Sequence, residues 1–309
     1  MAKKSANPAD FIVPLDINGL AGRMLYMPAP KGKKTEILFI YGQHSSLERW
    51  WGLAQYTNRF AAVTMPDLPG FGGMESFYKI GKRPTIDNLA DYLAAFMKLR
   101  YKRKKVVIVG MSFGFVVATR MLQRYPELAK NVDILVSIVG FTHSDDFSFT
   151  RRRYWFLRIL AMLIATRLGS LFFRYVCLSS NILRVVYHHT HNAKSKFKTA
   201  ADAEEHKRIM DLEVWLWHHN DTRTHALTSA EFLAFDNCKQ RVELPVWHVT
   251  ADADQYFDNH RVEQHMRIVF PEVHIIHSKL ANHAPSVIAD EKAASQLIPA
   301  QLRRVLARL

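Results

Sequence analysis

Residues Val106-Val107-Ile108-Val109 run without a break into Gly110-Met111-Ser112-Phe113-Gly114. That junction constrains the fold more than any other stretch of the chain. A short apolar run rich in β-branched residues reads as a buried strand, and Phe113 to Arg124 continues as a helix. Gly-x-Ser-x-Gly between a strand and a helix requires a very tight turn, with the serine in a strained backbone conformation. Gly110 and Gly114 lack the side chains that would keep strand and helix apart. The Ser112 hydroxyl is thereby pushed out at the carboxyl edge of a sheet and becomes a candidate nucleophile.

Strand and helix signals alternate on either side of this junction. Phe11 to Ile17 and Arg23 to Met27 read as strands joined through Asn18-Gly19, a hairpin signal. Glu36 to Tyr41, Ala61 to Met65 and Asp133 to Val139 read as further strands, and Asp87 to Leu99 has apolar residues at helical spacing. Such alternation predicts an α/β fold with a mostly parallel sheet covered on both faces. It stops after Gly140. Phe141 to Leu227 reads as helical, aromatic and cationic. The alternation then resumes with the strand Pro245 to Thr250, a helix over Asn259 to Val269, the strand Val273 to His277 and a closing helix from Pro285. The simplest parse is one core, residues 1–140 and 228–309, carrying a helical cap, residues 141–227. Both ends of that insertion fall at the sheet edge bearing Ser112, so it is expected to lie over the serine and to carry much of the substrate-facing apolar surface.

The chain has 309 residues, nearly half of them hydrophobic, which excludes a disordered protein. Its formal net charge of +14 favours anionic surfaces or substrates. The excess is concentrated: Phe147 to Ala201 holds seven Arg and three Lys but no Asp or Glu. A second basic run, Arg100 to Lys105, is expected to be a solvated loop at the far end of the sheet. Tyr154 to Val176 is apolar enough to suggest a membrane span, but Arg158, Arg167 and Arg174 interrupt it. The basic start of the chain is followed by no apolar stretch of signal-peptide length, so no secretion signal is expected. Cys177 and Cys238 sit in no metal-like spacing. A reducing, cytoplasmic setting fits both points.

A serine hydroxyl needs a neutral imidazole to take its proton and a carboxylate to orient that imidazole. After such an elbow, the partners are expected at the carboxyl ends of later strands, in the order acid then histidine. The strand from Pro245 ends at Ala251-Asp252-Ala253-Asp254, and either aspartate could serve. The strand Val273 to His277 is followed by a loop carrying His283, whereas His274 and His277 fall within the strand.

At these residues the chain resembles the α/β-hydrolase superfamily, in particular its small esterase, lipase and C–C hydrolase branch with a helical cap. The matching stretches are Ile40-Tyr41-Gly42-Gln43 with Ser45-Ser46 and Trp50, Asp67-Leu68-Pro69-Gly70-Phe71-Gly72, the Ser112 elbow, Asp254, and Asn282-His283-Ala284-Pro285. The resemblance implies Ser112 as nucleophile, His283 as general base and Asp254 as acid, in preference to Asp252 or to Asp236 on the preceding segment. It also implies an oxyanion hole made by the backbone N–H groups of Gln43 and Phe113. Tyr41 stands where the family usually has a histidine, and His44 would sit beside the hole, where it could touch substrate but is expected in a surface or supporting position.

The implied activity is cleavage of a carboxylic ester, thioester or lactone in a small-molecule substrate through an acyl-enzyme on Ser112. The same residues would serve a C–C hydrolase acting on a diketone. A non-catalytic binding member of the fold is a third reading. No cofactor is implied. The histidine groups Tyr187-His188-His189-Thr190-His191 and Trp217-His218-His219 lack nearby carboxylates and a His-Glu-x-x-His spacing, so no metal is expected. No nucleic-acid motif is visible. Trp155, Phe172, Phe173 and Tyr175 lie among the cap arginines, which suits either a substrate pocket or peripheral contact with an acidic membrane surface.

Overall fold

A computed structural model describes residues 7–307, apart from 103, 190–202, 279, 281–282 and 284–290. Eight strands form one sheet: β1 (Ile12–Ile17), β2 (Leu20–Met27), β3 (Glu36–Ile40), β4 (Ala62–Pro66), β5 (Val106–Met111), β6 (Val132–Ile138), β7 (Val246–Ala251) and β8 (Val273–Ser278). Their order is β1-β2-β4-β3-β5-β6-β7-β8. The β1–β2 and β2–β4 pairs are antiparallel, and β4 through β8 run parallel. The first hairpin is tighter than the sequence suggested. Asn18 and Gly19 both have positive φ, 53° and 81°, so a two-residue turn pairs Ile17 with Leu20.

Helices α1 (Trp51–Asn58), α2 (Ile86–Arg100) and α3 (Phe113–Arg124) follow within the first half of the core. The all-buried strand β5 and the buried face of α3 form the centre of the main core cluster. The Arg100 to Lys105 run is not simply solvated. Tyr101 is buried, Lys104 pairs with Glu36, and Lys105 pairs with Asp133.

Beyond β6 the chain crosses a short irregular stretch and enters α4 (Arg151–Ile164), α5 (Arg167–Phe172, continued by a π-turn over Phe173–Cys177), α6 (Ser180–His189), α7 (Ala203–His219) and α8 (Thr222–Phe232). The helical segment therefore runs past Leu227, because α8 ends only at Phe232. It begins later than Phe141, since the stretch before α4 forms isolated bridges, His143 with Asp236 and Phe147 with Phe257. The Tyr154 hydroxyl donates to the Leu233 carbonyl, fastening α4 to the end of α8. α9 (Asn259–Val269) covers the later strands. The expected single closing helix is instead two, α10 (Glu291–Leu297) and α11 (Ala300–Leu306), separated at Pro299. Pro285, where that helix was expected to begin, lies outside the described residues.

Candidate active site

Ser112 links β5 to α3 with φ 48° and ψ −120°, a left-handed conformation that is costly for a side chain bearing Cβ. Close packing on both sides holds it there. A Cβ on Gly110 would lie 2.6 Å from the Phe115 Cα, and one on Gly114 would lie 2.2 Å from the Ile40 carbonyl oxygen. The Ser112 N–H donates to the Ile138 carbonyl at 2.9 Å, which ties the turn to the neighbouring strand.

The structure brings three of the singled-out side chains together. Ser112 Oγ lies 2.9 Å from His283 Nε2, and His283 Nδ1 lies 2.7 Å from Asp254 Oδ2. The other Asp254 oxygen, Oδ1, accepts the N–H groups of Tyr256 at 2.8 Å and Phe257 at 3.2 Å. The carboxylate is thus fixed by its own loop before it meets the imidazole. The rings of Tyr256 and Phe257 flank His283, and burial, then the Asp254 charge, push the Tyr256 hydroxyl up. Asp252 and Asp236 are directed elsewhere. Asp252 meets His277 Nδ1 at 2.9 Å on the surface, and Asp236 lies near Lys239 and His143. Asn282, Ala284 and Pro285 lie outside the described residues.

The second strand end contributes backbone. A Cβ on Gly42 would sit 3.3 Å from the Ser112 Cβ, so the Gly42–Gln43 peptide passes directly beside the hydroxyl. Phe113 occupies the first position of α3, where a helix offers its N–H no internal acceptor. The Gln43 side-chain amide donates to the His225 carbonyl, Thr228 Oγ1 and Ser229 Oγ on α8.

Tyr41, the departure from the family pattern, is fully buried. It donates to Asp67 Oδ1 at 2.7 Å and accepts the Leu68 N–H at 3.0 Å. It therefore braces the Asp67 to Gly72 turn rather than reaching the serine. Burial pushes the Asp67 carboxyl up to about 6, against the pull of Arg23 and Tyr41. His44 is buried between Trp217 and His225, not on the surface, and adopts a positive φ of 55°.

Two residues of the neighbourhood carried no sequence signal. Arg49 lines the pocket at Ser112. Glu213 of α7 is fully buried, accepts from the Tyr187 hydroxyl at 2.7 Å, and lies 3.9 Å from Arg49 and 3.8 Å from His44. A carboxylate in a cap helix looks like any solvated residue until its burial is known.

The pocket over Ser112 has a volume of about 270 Å³ and is lined by Gly42, Gln43, Phe113, Phe141 and His283 among others. A second cavity of about 400 Å³ shares Phe147, Phe232 and Tyr256 with it and continues under α4, lined by Leu157, Ala161, Ile164 and Phe173. Of the aromatic cap residues, Phe173 faces this cavity, whereas Phe172 is 62% exposed. Phe172 is thus not part of the inner wall.

The second histidine group is dispersed. His218 Nε2 meets the Leu178 carbonyl, and His219 Nδ1 meets the Trp215 carbonyl. In the first group, Thr190 and His191 lie outside the described residues. Among the described residues no three His, Cys, Asp or Glu side chains gather at metal-binding distance. Both cysteines are free thiols, and burial pushes that of Cys238 up to about 11.

A family model described as the alpha/beta hydrolase fold matches residues 36–285. Protein ABHD8 of Bos taurus and of Homo sapiens are each 31% identical over 105 residues, 33% of this chain. The match spans 24% of those relatives, about a quarter of their length. Among solved structures, the esterase RhEst1 from Rhodococcus sp. ECU1013 superposes with a TM-score of 0.67 at 14% identity, covering 97% of this chain and 99% of that one. The enol-lactonase from Burkholderia xenovorans LB400 superposes at 0.62 with 12% identity, covering 96% and 97%. A thermophilic esterase from Thermogutta terrifontis superposes at 0.59 with 16% identity, covering 96% of each chain. At these identities the likeness is one of fold.

Proposed function

The chain belongs to the α/β-hydrolase fold family, and we propose that it is a serine hydrolase cleaving a carboxylic ester, thioester or lactone of a substrate with a bulky apolar part. The observation that carries this reading is the continuous relay from Asp254 through His283 to Ser112, at 2.7 and 2.9 Å, opening into a pocket.

Asp254 accepts a hydrogen bond from Nδ1–H, which keeps the proton on that nitrogen and leaves Nε2 as the basic nitrogen facing Ser112. As Oγ attacks the carbonyl carbon, Nε2 takes the hydroxyl proton, and Asp254 stabilises the resulting imidazolium. The negative charge then forms on the former carbonyl oxygen. The N–H groups of Phe113 and Gln43 are the donors proposed for it, fixed in place before reaction so that little reorganisation is needed. His283 returns its proton to the leaving oxygen or sulfur, and an acyl group remains on Ser112. Water entering the same place gives a proton to His283 Nε2 as it attacks the acyl carbon; the bond to Ser112 Oγ then breaks, His283 returns that proton to Oγ, and the acid leaves.

The apolar cavity under α4, with Leu157, Ala161 and Phe173 in its wall, supports an acyl or alcohol moiety too large for the 270 Å³ pocket alone. The test is hydrolysis of an ester panel graded by acyl length, with lactones and a diketone included, alongside labelling by a fluorophosphonate. Labelling confined to Ser112, with activity rising with acyl length, is expected. Unchanged ester hydrolysis by Ser112→Ala would remove the assignment, and turnover of the diketone alone would replace it with carbon–carbon cleavage.

A further inference from the structure

The proposed chemistry leaves the outer side of the cap unused. α4 (RRRYWFLRILAMLI) opens on three arginines and carries a fourth at Arg158, but beyond the first turn its apolar side chains point both inward and outward. Its inner side, with Leu157, Ala161 and Ile164, lines the second cavity. Its outer side presents Trp155, Phe156, Ile159, Met162 and Leu163, each between 47% and 64% exposed. The neighbouring α5 and its π-turn add Leu168 at 82% and Tyr175 at 73%. Single soluble domains rarely expose contiguous apolar patches beyond a few hundred Å².

Charge indicates what covers this one. The same helices carry Arg151, Arg152, Arg153 and Arg167, all exposed, and the half-buried Arg158. No ion pair involves any of the five among the described residues, and the sequence from Phe147 to Ala201 offers no carboxylate. Arg158 and Arg153 lie instead over the rings of Trp155 and Phe149, at 5.5 and 4.5 Å. Arg184 of α6 is neutralised separately, by Asp211. A second copy of the chain meeting this face through the same face would bring a second set of these arginines and no carboxylate from Phe147 to Ala201. An anionic bilayer supplies both an apolar depth and phosphate charge.

Spanning is disfavoured. Among the described residues no single helix is long and apolar enough to cross a membrane, and α4 and the α5 segment, which together have the length, are bent by 93° to one another. We propose that the outer face of α4 and α5 docks, lying flat, on a lipid bilayer containing anionic phospholipid. Docking would bring the cavity under α4 within one helix thickness of the lipid. The inference stands apart from the hydrolase reading, since binding needs no chemistry at Ser112.

Flotation of the full chain with vesicles tests it, comparing phosphatidylcholine alone with phosphatidylcholine plus phosphatidylglycerol, at low and high salt. The protein is expected to float with the anionic vesicles and to be released by salt. Arg151→Gln with Arg152→Gln should weaken binding roughly 30-fold. Phe156→Asp with Leu163→Asp should abolish it, while the thermal midpoint and labelling of Ser112 stay unchanged; neither residue lines the cavities. Ser112→Ala should bind as the unaltered chain does. Failure to float with anionic vesicles at low salt would overturn the proposal. So would undiminished binding by the Phe156→Asp, Leu163→Asp variant, or a dimer in sedimentation that this variant dissolves while vesicles bind neither form.

Discussion

Helices α3 and α4 are both rich in apolar residues, yet they meet opposite fates. Of the 12 residues of α3, 10 are buried, whereas of the 14 in α4 only Ala161 is. The difference lies in what each stands beside. α3 leaves the centre of the sheet and is pressed onto it by the Ser112 turn, so any side chain facing β5 is enclosed. α4 lies beyond the sheet edge and has a partner, α8 with the cavity beneath it, on one side only. Apolar composition makes burial favourable, but position in the topology decides whether protein supplies it.

Four experiments would break or sharpen this contrast. The largest effect is expected at the elbow. Ser112→Ala and His283→Ala should each lower turnover by roughly four to six orders of magnitude, and the double variant should be barely worse than either, because both remove the same covalent step. Additive losses would mean that the two side chains do not work as a unit.

Asp254→Asn should lower turnover by about 10⁴-fold, because an amide no longer fixes the imidazole tautomer. Asp252→Asn, which disturbs only a surface contact with His277, should leave rates nearly unchanged. Reversed results would place the acid at Asp252.

Stability separates the two helices directly. Phe115, fully buried and packed on Phe270, should cost about 3–5 kcal/mol on replacement by alanine. Phe156→Ala should stay within about 0.5 kcal/mol in urea denaturation without lipid. A loss at Phe156 comparable to that at Phe115 would show that protein covers the outer face in solution.

The smallest effect concerns pH. His248, in the middle of β7 between β6 and β8, is buried beside Ser137, and burial lowers its pKa from 6.5 to about 4. Between those values the unfolded chain binds the proton and the folded chain does not, so folding loses stability as pH falls through that window. The loss relative to His248→Gln should reach about 3 kcal/mol near pH 4, read from urea midpoints across a pH series. A constant difference between the two proteins would show that His248 does not titrate differently on folding.

How much of this was legible in the sequence follows from how local each signal is. The elbow, the Asn18-Gly19 turn and the boundaries of α3 and α9 depend on neighbours within a few residues and fall where the sequence places them, whereas the strand after that turn begins at Leu20 rather than Arg23. Asp254 and Asp252 are two residues apart on one loop, so choosing between them requires knowing which way that loop turns. The N–H groups of Tyr256 and Phe257 turn Asp254 inward, and no residue type announces that. Tyr41 looked like a lost histidine and is a brace for Asp67. Glu213 and Arg49, which meet across the cap and the core, were invisible because nothing in their local sequence separates a buried charge from a solvated one. That a run of helices separates β6 from β7 was legible. Which side of α4 faces inward was not, because its apolar residues fall on both sides and periodicity alone does not choose between them.

Gln43 has two attachments, one on each side of the site. Its backbone is the proposed donor to the reacting oxygen, while its side chain holds His225, Thr228 and Ser229 of α8. The peptide plane at residue 43 is therefore geared to the cap helix. On the proposed reading, one residue sets both the direction of that donor and the seating of α8, so a change at either end would be felt at the other.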